Sequence, residues 1–191
     1  IANVENIIYA DEATSEPGDG GGETSPSAGD NTMASIIFGS DGNDTLDGGG
    51  GDDTLNGGSG DDTLVGGAGA DALNGGDGID TASYMGSPSP VLINLAAGTA
   101  VGGDAEGDTL TSIENLIGSS FNDVLQGDDG DNHLQGGGGN DILHGLAGAD
   151  ILDGGAGVDT ADYSVSPTGV NINLTAGTAA NGHGAGDTLI S

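Results

Sequence analysis

The sequence predicts an all-β fold in which very short strands stack, turn upon turn, in two repetitive blocks joined by β-rich spacers. A nine-residue pattern of glycine, aspartate and leucine recurs in each block, as in "GGGGDDTLN" followed by "GGSGDDTLV". A longer period of 79 residues encloses it and places Gly39 on Gly118 and Tyr84 on Tyr163. Self-similarity at fixed periods is typical of solenoids and other repeat architectures.

The composition indicates that a hydrophobic core alone cannot hold such a fold together. The 191 residues include 42 glycines and 31 acidic residues but no lysine or arginine, and the formal net charge is −31. Two carboxylates ~4 Å apart repel by roughly 4 kcal/mol at an effective dielectric of ~20, whereas a whole domain is stable by only about 5–15 kcal/mol. The sequence therefore predicts either disorder or cations bound between the carboxylates.

The same charge limits the partners of the chain. Nucleic acids and anionic membranes are recognised by basic surface, which this sequence lacks, and no apolar run approaches the length of a membrane span. We expect no nucleic-acid binding and no membrane insertion. No nucleophile motif of the G-x-S-x-G type is present and the carboxylates repeat too uniformly to be one acid–base pair, so we expect no enzymatic activity.

The two periods divide the chain into segments. The nine-residue repeats occupy two blocks, and the spacers after them share "INL", "AGTA" and "GDTL". "VNINL" alternates apolar and polar residues as a half-buried strand does, and "VENII" near the start echoes "IENLI" before the second block. The predicted segments are a strand completing a preceding unit (1–8), an acidic Gly/Ser/Pro-rich insertion (9–38), the first block (39–83), spacer strands (84–117), the second block (118–162) and further spacer strands (163–191).

Each residue type in the repeat has a physical purpose, illustrated by residues 57–65. Glycines permit backbone angles that side chains forbid, so the loop can curl tightly and direct its carbonyls toward one point. Leu64 fills the interior, and Asp62 ends the loop with a carboxylate. Two repeats make one turn, and turns stack at the ~4.8 Å strand spacing. Two walls of apolar side chains result: Leu46, Leu64 and Ala82 on one, and Leu55 and Leu73 on the other.

Stacking also aligns the aspartates on the edges of the solenoid. The predicted edge sets are Asp44, Asp62 and Asp80; Asp53 and Asp71; Asp123, Asp141 and Asp159; and Asn132 and Asp150. Aligned carboxylates beside converging carbonyls form an all-oxygen cage, which suits Ca²⁺ better than Mg²⁺ with its strict octahedron. The repeated aspartates could instead be solvated turn formers, although turn chemistry does not require one aspartate at one phase in nearly every repeat.

The pattern resembles the RTX (repeats-in-toxin, hemolysin-type) calcium-binding family, whose motif is G-G-x-G-x-D-x-U-x with U a large apolar residue. The resemblance implies a right-handed parallel β-roll. It also implies that each Ca²⁺ lies between loops eighteen residues apart and takes carbonyls from the second and fourth positions of one loop, carbonyls from the first and third positions of the next, and both aspartates. About three ions per block would follow.

Carried onto this sequence, the resemblance implies specific ligand sets. In the first block they are Ser40, Gly42, Gly57 and Ser59 with Asp44 and Asp62; Gly58, Gly60, Gly75 and Asp77 with Asp62 and Asp80; and Gly49, Gly51, Gly66 and Ala68 with Asp53 and Asp71. In the second block they are Gly137, Gly139, Gly154 and Ala156 with Asp141 and Asp159; Gly136 and Gly138 with Asp123 and Asp141; and Gly145 and Ala147 with Asn132 and Asp150.

Some positions depart from the motif. Phe121 replaces the glycine at the fourth position of its loop, which weakens the expectation for the Asp123–Asp141 site. Asn132 replaces an aspartate, so its site loses a charge and should bind Ca²⁺ more weakly. Glu114 and Glu5 fall where an aspartate would stand in their segments and could cap the ladder of ligands.

Two functions remain open from the sequence. The first is a secreted or cell-surface Ca²⁺-stabilised structural repeat of a filament, surface layer or adhesin stalk, with head-to-tail self-association through the strand at residues 1–8. A cut through a longer tandem protein would explain that strand equally well. The alternative is an accessory module that aids calcium-triggered folding of a secreted enzyme or toxin. The repeat-and-spacer character of the whole sequence favours the first.

Overall fold

In the computed structural model, residues 6–9 and 32–190 are described. They form a roll of two sheets made of short strands, with two single-turn 3₁₀ helices in the spacers, at Gly103–Ala105 and Gly182–Gly184. No helix among the described residues is long and apolar enough to cross a lipid bilayer. The all-β prediction is confirmed.

The first sheet contains ten strands. Their spatial order is β1 (Asn6–Tyr9), β2 (Ser35–Asp41), β4 (Thr54–Ser59), β6 (Ala72–Asp77), β10 (Thr109–Thr111), β9 (Thr99–Val101), β8 (Leu92–Asn94), β12 (Val124–Gln126), β14 (Ile142–His144) and β16 (Thr160–Ala161). Pairing is parallel except around β9, which runs antiparallel to both of its neighbours.

The second sheet contains nine strands. In spatial order they are β17 (Asn171–Asn173), β18 (Thr178–Ala180), β19 (Thr188–Ile190), β15 (Ile151–Asp153), β13 (His133–Gln135), β11 (Asn115–Ile117), β7 (Thr81–Ser83), β5 (Thr63–Val65) and β3 (Thr45–Asp47). Only the hairpin of the last spacer, β17–β18–β19, is antiparallel. The parallel β-roll is therefore confirmed, with antiparallel hairpins confined to the spacers.

The core is a double column of leucines between the sheets. Leu46 pairs in register with Leu64, and Leu55 with Leu73, and each of these side chains is at most 1% exposed. The two predicted walls are thus confirmed, and Leu116, Leu125, Leu134, Leu143 and Leu152 continue them through the second block. Each fully buried leucine contributes about 1.5–3 kcal/mol, so regular stacking supplies the core that the composition makes thin.

The two blocks form one continuous roll. β11 in the spacer pairs with β7 of the first block on one side and with β13 of the second block on the other. The first sheet crosses the same junction through β10, β9 and β8. Both sheets therefore run through the spacer without a break.

The start of the first block differs from the predicted boundary at residue 39. β2 begins at Ser35, and Ile37 occupies the register of Leu55 with no exposed side chain. The last residues of the predicted insertion therefore belong to a strand of the roll, because an apolar side chain at this register extends the core. Residues 10–31 of that insertion lie outside the described residues.

Candidate metal centre

A ladder of hydrogen bonds links the aspartate of each repeat to the aspartate one turn later. Asp62 Oδ1 accepts the backbone N–H of Asp44 at 2.8 Å, and Asp80 Oδ1 accepts that of Asp62 at 2.7 Å. The same bond joins Asp71 to Asp53, Asp141 to Asp123, Asp159 to Asp141 and Asp150 to Asn132, at 2.8–3.0 Å. One oxygen of each carboxylate is thus used to hold adjacent turns together.

The second carboxylate oxygen points into the loop and lacks a partner at many turns. Among the described residues, this oxygen is buried without a hydrogen bond in Asp53, Asp62, Asp71, Asp80, Asp141 and Asp150. These residues are at most 2% exposed. A buried charge is costly unless it is paired or bound to a metal, so these oxygens need either a bound cation or, in its absence, a proton.

At Asp53, Asp62, Asp80 and Asp141, a backbone carbonyl from the next turn converges on this oxygen. A Cβ added to Gly57 would lie 2.5 Å from the carbonyl oxygen of Gly75 and in contact with Asp62 Oδ2. At Gly48 the corresponding point lies 2.6 Å from both Asp53 Oδ2 and the Gly66 carbonyl oxygen. Glycine at the first position therefore keeps open a space lined by oxygens from two turns, which is the donor set that Ca²⁺ prefers.

At the second and fourth positions of the repeat, each residue packs closely against the carbonyl of the equivalent residue one turn earlier. A Cβ on Gly58 would touch the carbonyl oxygen of Ser40, and one on Gly60 would touch that of Gly42. Gly58 and Gly60 have φ of 117° and 128°, in the region that favours glycine. The same relation joins Gly67 to Gly49, Gly69 to Gly51, Gly76 to Gly58, Gly78 to Gly60, Gly155 to Gly137 and Gly157 to Gly139.

The third-position carbonyls are engaged in backbone bonds. The oxygens of Ser59, Ala68, Asp77 and Ala156 accept the N–H of Gly42, Gly51, Gly60 and Gly139, at 2.7–2.9 Å. A carbonyl has a second lone pair, which remains available to an ion. Among the described residues no point gathers three or more Asp, Glu, His or Cys side chains. A calcium site between these turns would accordingly combine a pair of acidic side chains with carbonyls.

The structure thus brings together the carboxylates and first-position carbonyls that the sequence predicts. First-position carbonyls face the side-chain oxygen one turn earlier in these pairs: Gly57 with Asp44, Gly75 with Asp62, Gly66 with Asp53, Gly136 with Asp123, Gly154 with Asp141 and, at an amide oxygen, Gly145 with Asn132. Gly138 pairs with Ala156 in an isolated bridge. Glu5 lies outside the described residues.

At two turns at the start of the second block, hydrogen bonds within the protein close the space that a cation would need. Asp123 Oδ2 accepts the N–H of Ser119 at 2.6 Å and its hydroxyl at 2.9 Å. Asn132 Oδ1 accepts the N–H of Asp128 at 2.8 Å, and its Nδ2 donates to the Glu114 carbonyl at 3.0 Å. The oxygens that face the loop are satisfied internally, so the requirement for a cation is weakest at these two turns.

The backbone at the second position explains the closure. This residue has positive φ at Gly49, Gly58, Gly67, Gly76 and Gly137, and also at Ser40 (119°) and Leu146 (73°), but not at Ser119 or Asp128. Without positive φ its N–H turns toward the carboxylate and takes the position that an ion would occupy. From the sequence, weaker calcium binding at these two turns was predicted from Phe121 and Asn132. The contribution of Ser119 and Asp128 was not predicted.

Two further ladder members, Asp108 and Asp187, were missed from the sequence and lie in the repeated "GDTL" of the spacers. Asp108 Oδ1 accepts the N–H of Asp71 at 2.8 Å, and Asp187 Oδ1 accepts that of Asp150 at 3.0 Å. Their second oxygens accept the hydroxyls of Tyr84 and Tyr163, at 2.9 and 2.7 Å. Both could have been found from the sequence, because each aspartate stands two residues before a leucine, as it does in the nonapeptide.

Burial raises the pKa of the ladder aspartates. It raises the pKa of Asp71 and that of Asp150 to about 7, with neighbouring carboxylates adding to the effect, and that of Asp108 to about 6. The pKa values of Asp53, Asp62, Asp80 and Asp141 are also raised, mainly by burial. The metal-free fold therefore favours protons on these carboxylates.

These raised pKa values predict that acid partly replaces metal. An aspartate in the unfolded chain has a pKa near 3.9, so the metal-free fold binds more protons than the unfolded chain between about pH 4 and pH 7. Its stability is greatest at the acidic end of that window and is lost as pH rises through about 7. Circular dichroism of dialysed, metal-free protein should show more strand signal at pH 5 than at pH 8. Equal signals at constant ionic strength would contradict the assignment.

One comparison with known proteins bears on this geometry. A family model described as RTX calcium-binding nonapeptide repeat matches in four copies that overlap in two pairs, at residues 27–64 and 47–82 and at residues 108–143 and 127–161. Together these copies cover more than half of the chain and include the aspartate ladders of both blocks. No curated protein matches the chain.

Proposed function

Because the chain belongs to the RTX calcium-binding nonapeptide repeat family, we propose that it is a non-catalytic, extracellular structural module whose β-roll folds when Ca²⁺ binds between its turns. The observation that carries the proposal is the row of buried, unpartnered carboxylate oxygens along the roll. A chain with a net charge of −31 and neither lysine nor arginine has no permanently charged side chain to neutralise them.

The residues in place fit Ca²⁺ and have defined tasks. Bound Ca²⁺ supplies positive charge and accepts several oxygen ligands at flexible angles. Asp62 shows the arrangement: Oδ1 holds the backbone of the preceding turn, and Oδ2 faces the carbonyl of Gly75 in the next turn. First-position glycines leave room for the ion, and second- and fourth-position glycines orient the carbonyls. Neutralised carboxylates would then allow the leucine columns to close.

A calcium titration tests the proposed function. Extracellular calcium modules bind at roughly 10⁻⁴–10⁻³ M, so folding, followed by circular dichroism at pH 7.5, should have its midpoint in that range. Mg²⁺ at equal concentration should give little folding because it demands a tight octahedron. A full strand signal in excess chelator at this pH, or equal action of both metals, would contradict the proposal.

Head-to-tail assembly is a second element of the proposal, supported by an apolar groove beside the last spacer. The groove has a volume of about 320 Å³ and is lined by Leu143, Leu152, Val158, Leu174 and Ile190, among others. Leu174 is 82% exposed, whereas its counterpart in the first unit, Leu95, packs against the core. The core there is continued by Ile113 and Leu116 of the following segment.

The occupant proposed for this groove is the N-terminal segment of another copy, whose "VENII" matches "IENLI". Such a contact is heterologous and does not close, which produces filaments. Within one chain, Asn6–Tyr9 pairs with β2, so assembly would have to displace that pairing. Deletion of residues 1–8 should abolish assembly in sedimentation experiments at millimolar Ca²⁺. Identical assembly of the truncated and full-length chains would refute the exchange.

A further inference from the structure

We propose that Asp80 and Glu114, together with the backbone carbonyl of Ser112, form a calcium site between the last nonapeptide of the first block and the spacer that follows it. This site would tie the last turn of the first block to the spacer strand β11, which in turn pairs with the second block. The inference rests on calcium binding by the roll, and it adds a position that the spacing of the repeats does not supply.

Glu114 takes the place of the next ladder aspartate after Asp80. Its Oε2 accepts the N–H of Asp80 at 2.8 Å, which matches the 2.7 Å bond from Asp62 N–H to Asp80 Oδ1. The N–H groups of Glu114 and Asn115 in turn donate to the carbonyl of Asp80, at 3.1 and 2.9 Å. The glutamate is therefore held at one further step of the same ladder, although 34 residues separate it from Asp80.

The space beside Asp80 has the same features as the open cages within the repeats. Asp80 is fully buried, and its Oδ2 has no hydrogen-bond partner among the described residues. A Cβ on Gly75 would touch both this oxygen and the carbonyl oxygen of Ser112. At the preceding turn the carbonyl of Gly75 has that position toward Asp62. Ser112 itself has φ of 50°, which is uncommon for a residue with a side chain.

The loop that would supply the remaining carbonyls is in the open conformation. Gly76 and Gly78, the second and fourth residues of the Asp80 repeat, have φ of 112° and 147°. Ser119 and Asp128, at the second position of their repeats, lack positive φ. Their N–H groups donate to the side-chain oxygens that face the loop, Asp123 Oδ2 and Asn132 Oδ1. No such closure occurs at Asp80, whose second oxygen remains available.

The opposite edge of the same junction provides an internal contrast. There Asp71 is followed by Asp108, whose second oxygen accepts the hydroxyl of Tyr84 at 2.9 Å. The three atoms nearest to a Cβ on Gly66 all belong to Asp71 itself, whereas at Gly75 the nearest is the Ser112 carbonyl oxygen. On the Asp71 edge of the junction, the hydroxyl of Tyr84 therefore satisfies the second oxygen of Asp108. On the other edge, Asp80 Oδ2 and the Ser112 carbonyl oxygen face the same space, and Glu114 is bonded to the backbone of Asp80, so oxygen donors suited to a hard divalent cation are close at hand.

The test counts the calcium ions bound by the full chain. Glu114→Gln keeps an oxygen to accept the Asp80 N–H but removes the charge, so calorimetric titration at pH 7.5 should show about one ion fewer than the unsubstituted chain. Glu106→Gln is the matched control, because Glu106 is an exposed spacer glutamate that accepts the N–H of Gly102 at 2.9 Å. This control should bind the full number of ions.

The outcomes distinguish failure of the junction site from failure of the proposed calcium-binding function. If the unsubstituted chain binds Ca²⁺ and Glu114→Gln binds the same number of ions, the junction site is wrong and the proposed function stands. If the unsubstituted chain binds no Ca²⁺, both fail. Anomalous diffraction from calcium-grown crystals of the unsubstituted chain keeps the test independent of mutant folding. Density between Asp80 Oδ2 and the Ser112 carbonyl supports the site, and a clear map without it overturns the site.

Discussion

Replacing Gly57 by alanine is expected to raise the calcium concentration needed for half-folding by roughly tenfold or more, equivalent to at least about 1.4 kcal/mol. The new methyl group would lie 2.5 Å from the carbonyl oxygen of Gly75 and in contact with Asp62 Oδ2. It would fill the space that the ion needs and force adjacent turns apart. Gly57 is not among the positive-φ residues, so the effect would come from the lost cage rather than from backbone strain.

The control for this substitution is Gly86→Ala in the spacer. A Cβ at Gly86 meets nothing within 4 Å, and its φ is also outside the positive region. Calcium titrations of both variants, followed by circular dichroism, should show a large shift for Gly57→Ala and almost none for Gly86→Ala. Equal midpoints for the two variants would mean that the first-position glycine does not make room for an ion.

Neutralising Asp62 is expected to have the second largest effect. Asp62 borders the cages on both sides, toward Asp44 and toward Asp80. Asp62→Asn therefore removes charge from two sites and should raise the folding midpoint several-fold in calcium. Its neighbour Asp61 is exposed, and its Oδ1 accepts only the N–H of Ile79, at 2.9 Å.

Asp61→Asn is a close control because it changes the net charge by the same amount. The equivalent residue one turn earlier, Asn43, already accepts the N–H of Asp61 at 2.9 Å through an amide oxygen. An asparagine at position 61 should therefore leave the midpoint within about a factor of two. Parallel calcium titrations of the two variants measure the difference. Similar shifts would show that the carboxylates act through total charge alone and not through their positions.

The core and the ladders within each block follow directly from the nine-residue period. A spacing of eighteen residues per turn places Leu46 on Leu64 and Asp44 on Asp62, and the structure has both pairs in contact. These features depend only on strand stacking, which repeats identically at each turn. Period and residue type therefore suffice to predict them.

The course of the ladders through the spacer could not be predicted in this way. Glu114 joins the edge of Asp80 to that of Asn132, so the ladder of Asp44, Asp62 and Asp80 continues into Asn132 and Asp150 of the second block. The nine-residue period had indicated separate sets of edges for the two blocks. The link depends on a contact between residues 34 positions apart, and the opposite edge on one between Asp71 and Asp108, 37 positions apart; neither spacing is a multiple of nine.

Residue types alone also do not predict which cages are open. Ser40 and Ser119 are both serines at the second position, yet Ser40 has φ of 119° and Ser119 lies outside the positive region. Ser40 pairs in a parallel ladder with Gly58, whereas the hydroxyl of Ser119 bonds the carboxylate of Asp123. The difference comes from these neighbours and not from the serine.

The central claim is that calcium ions bound between the turns stabilise the roll, and urea unfolding at a series of calcium concentrations tests it most directly. Each ion bound only by the folded chain adds roughly 1.4 kcal/mol to the free energy of unfolding per tenfold rise in calcium above its dissociation constant. Because both blocks have open cages at several aspartates, we expect the free energy of unfolding to rise by several such increments per tenfold rise in calcium. A free energy of unfolding that does not change with calcium would contradict it.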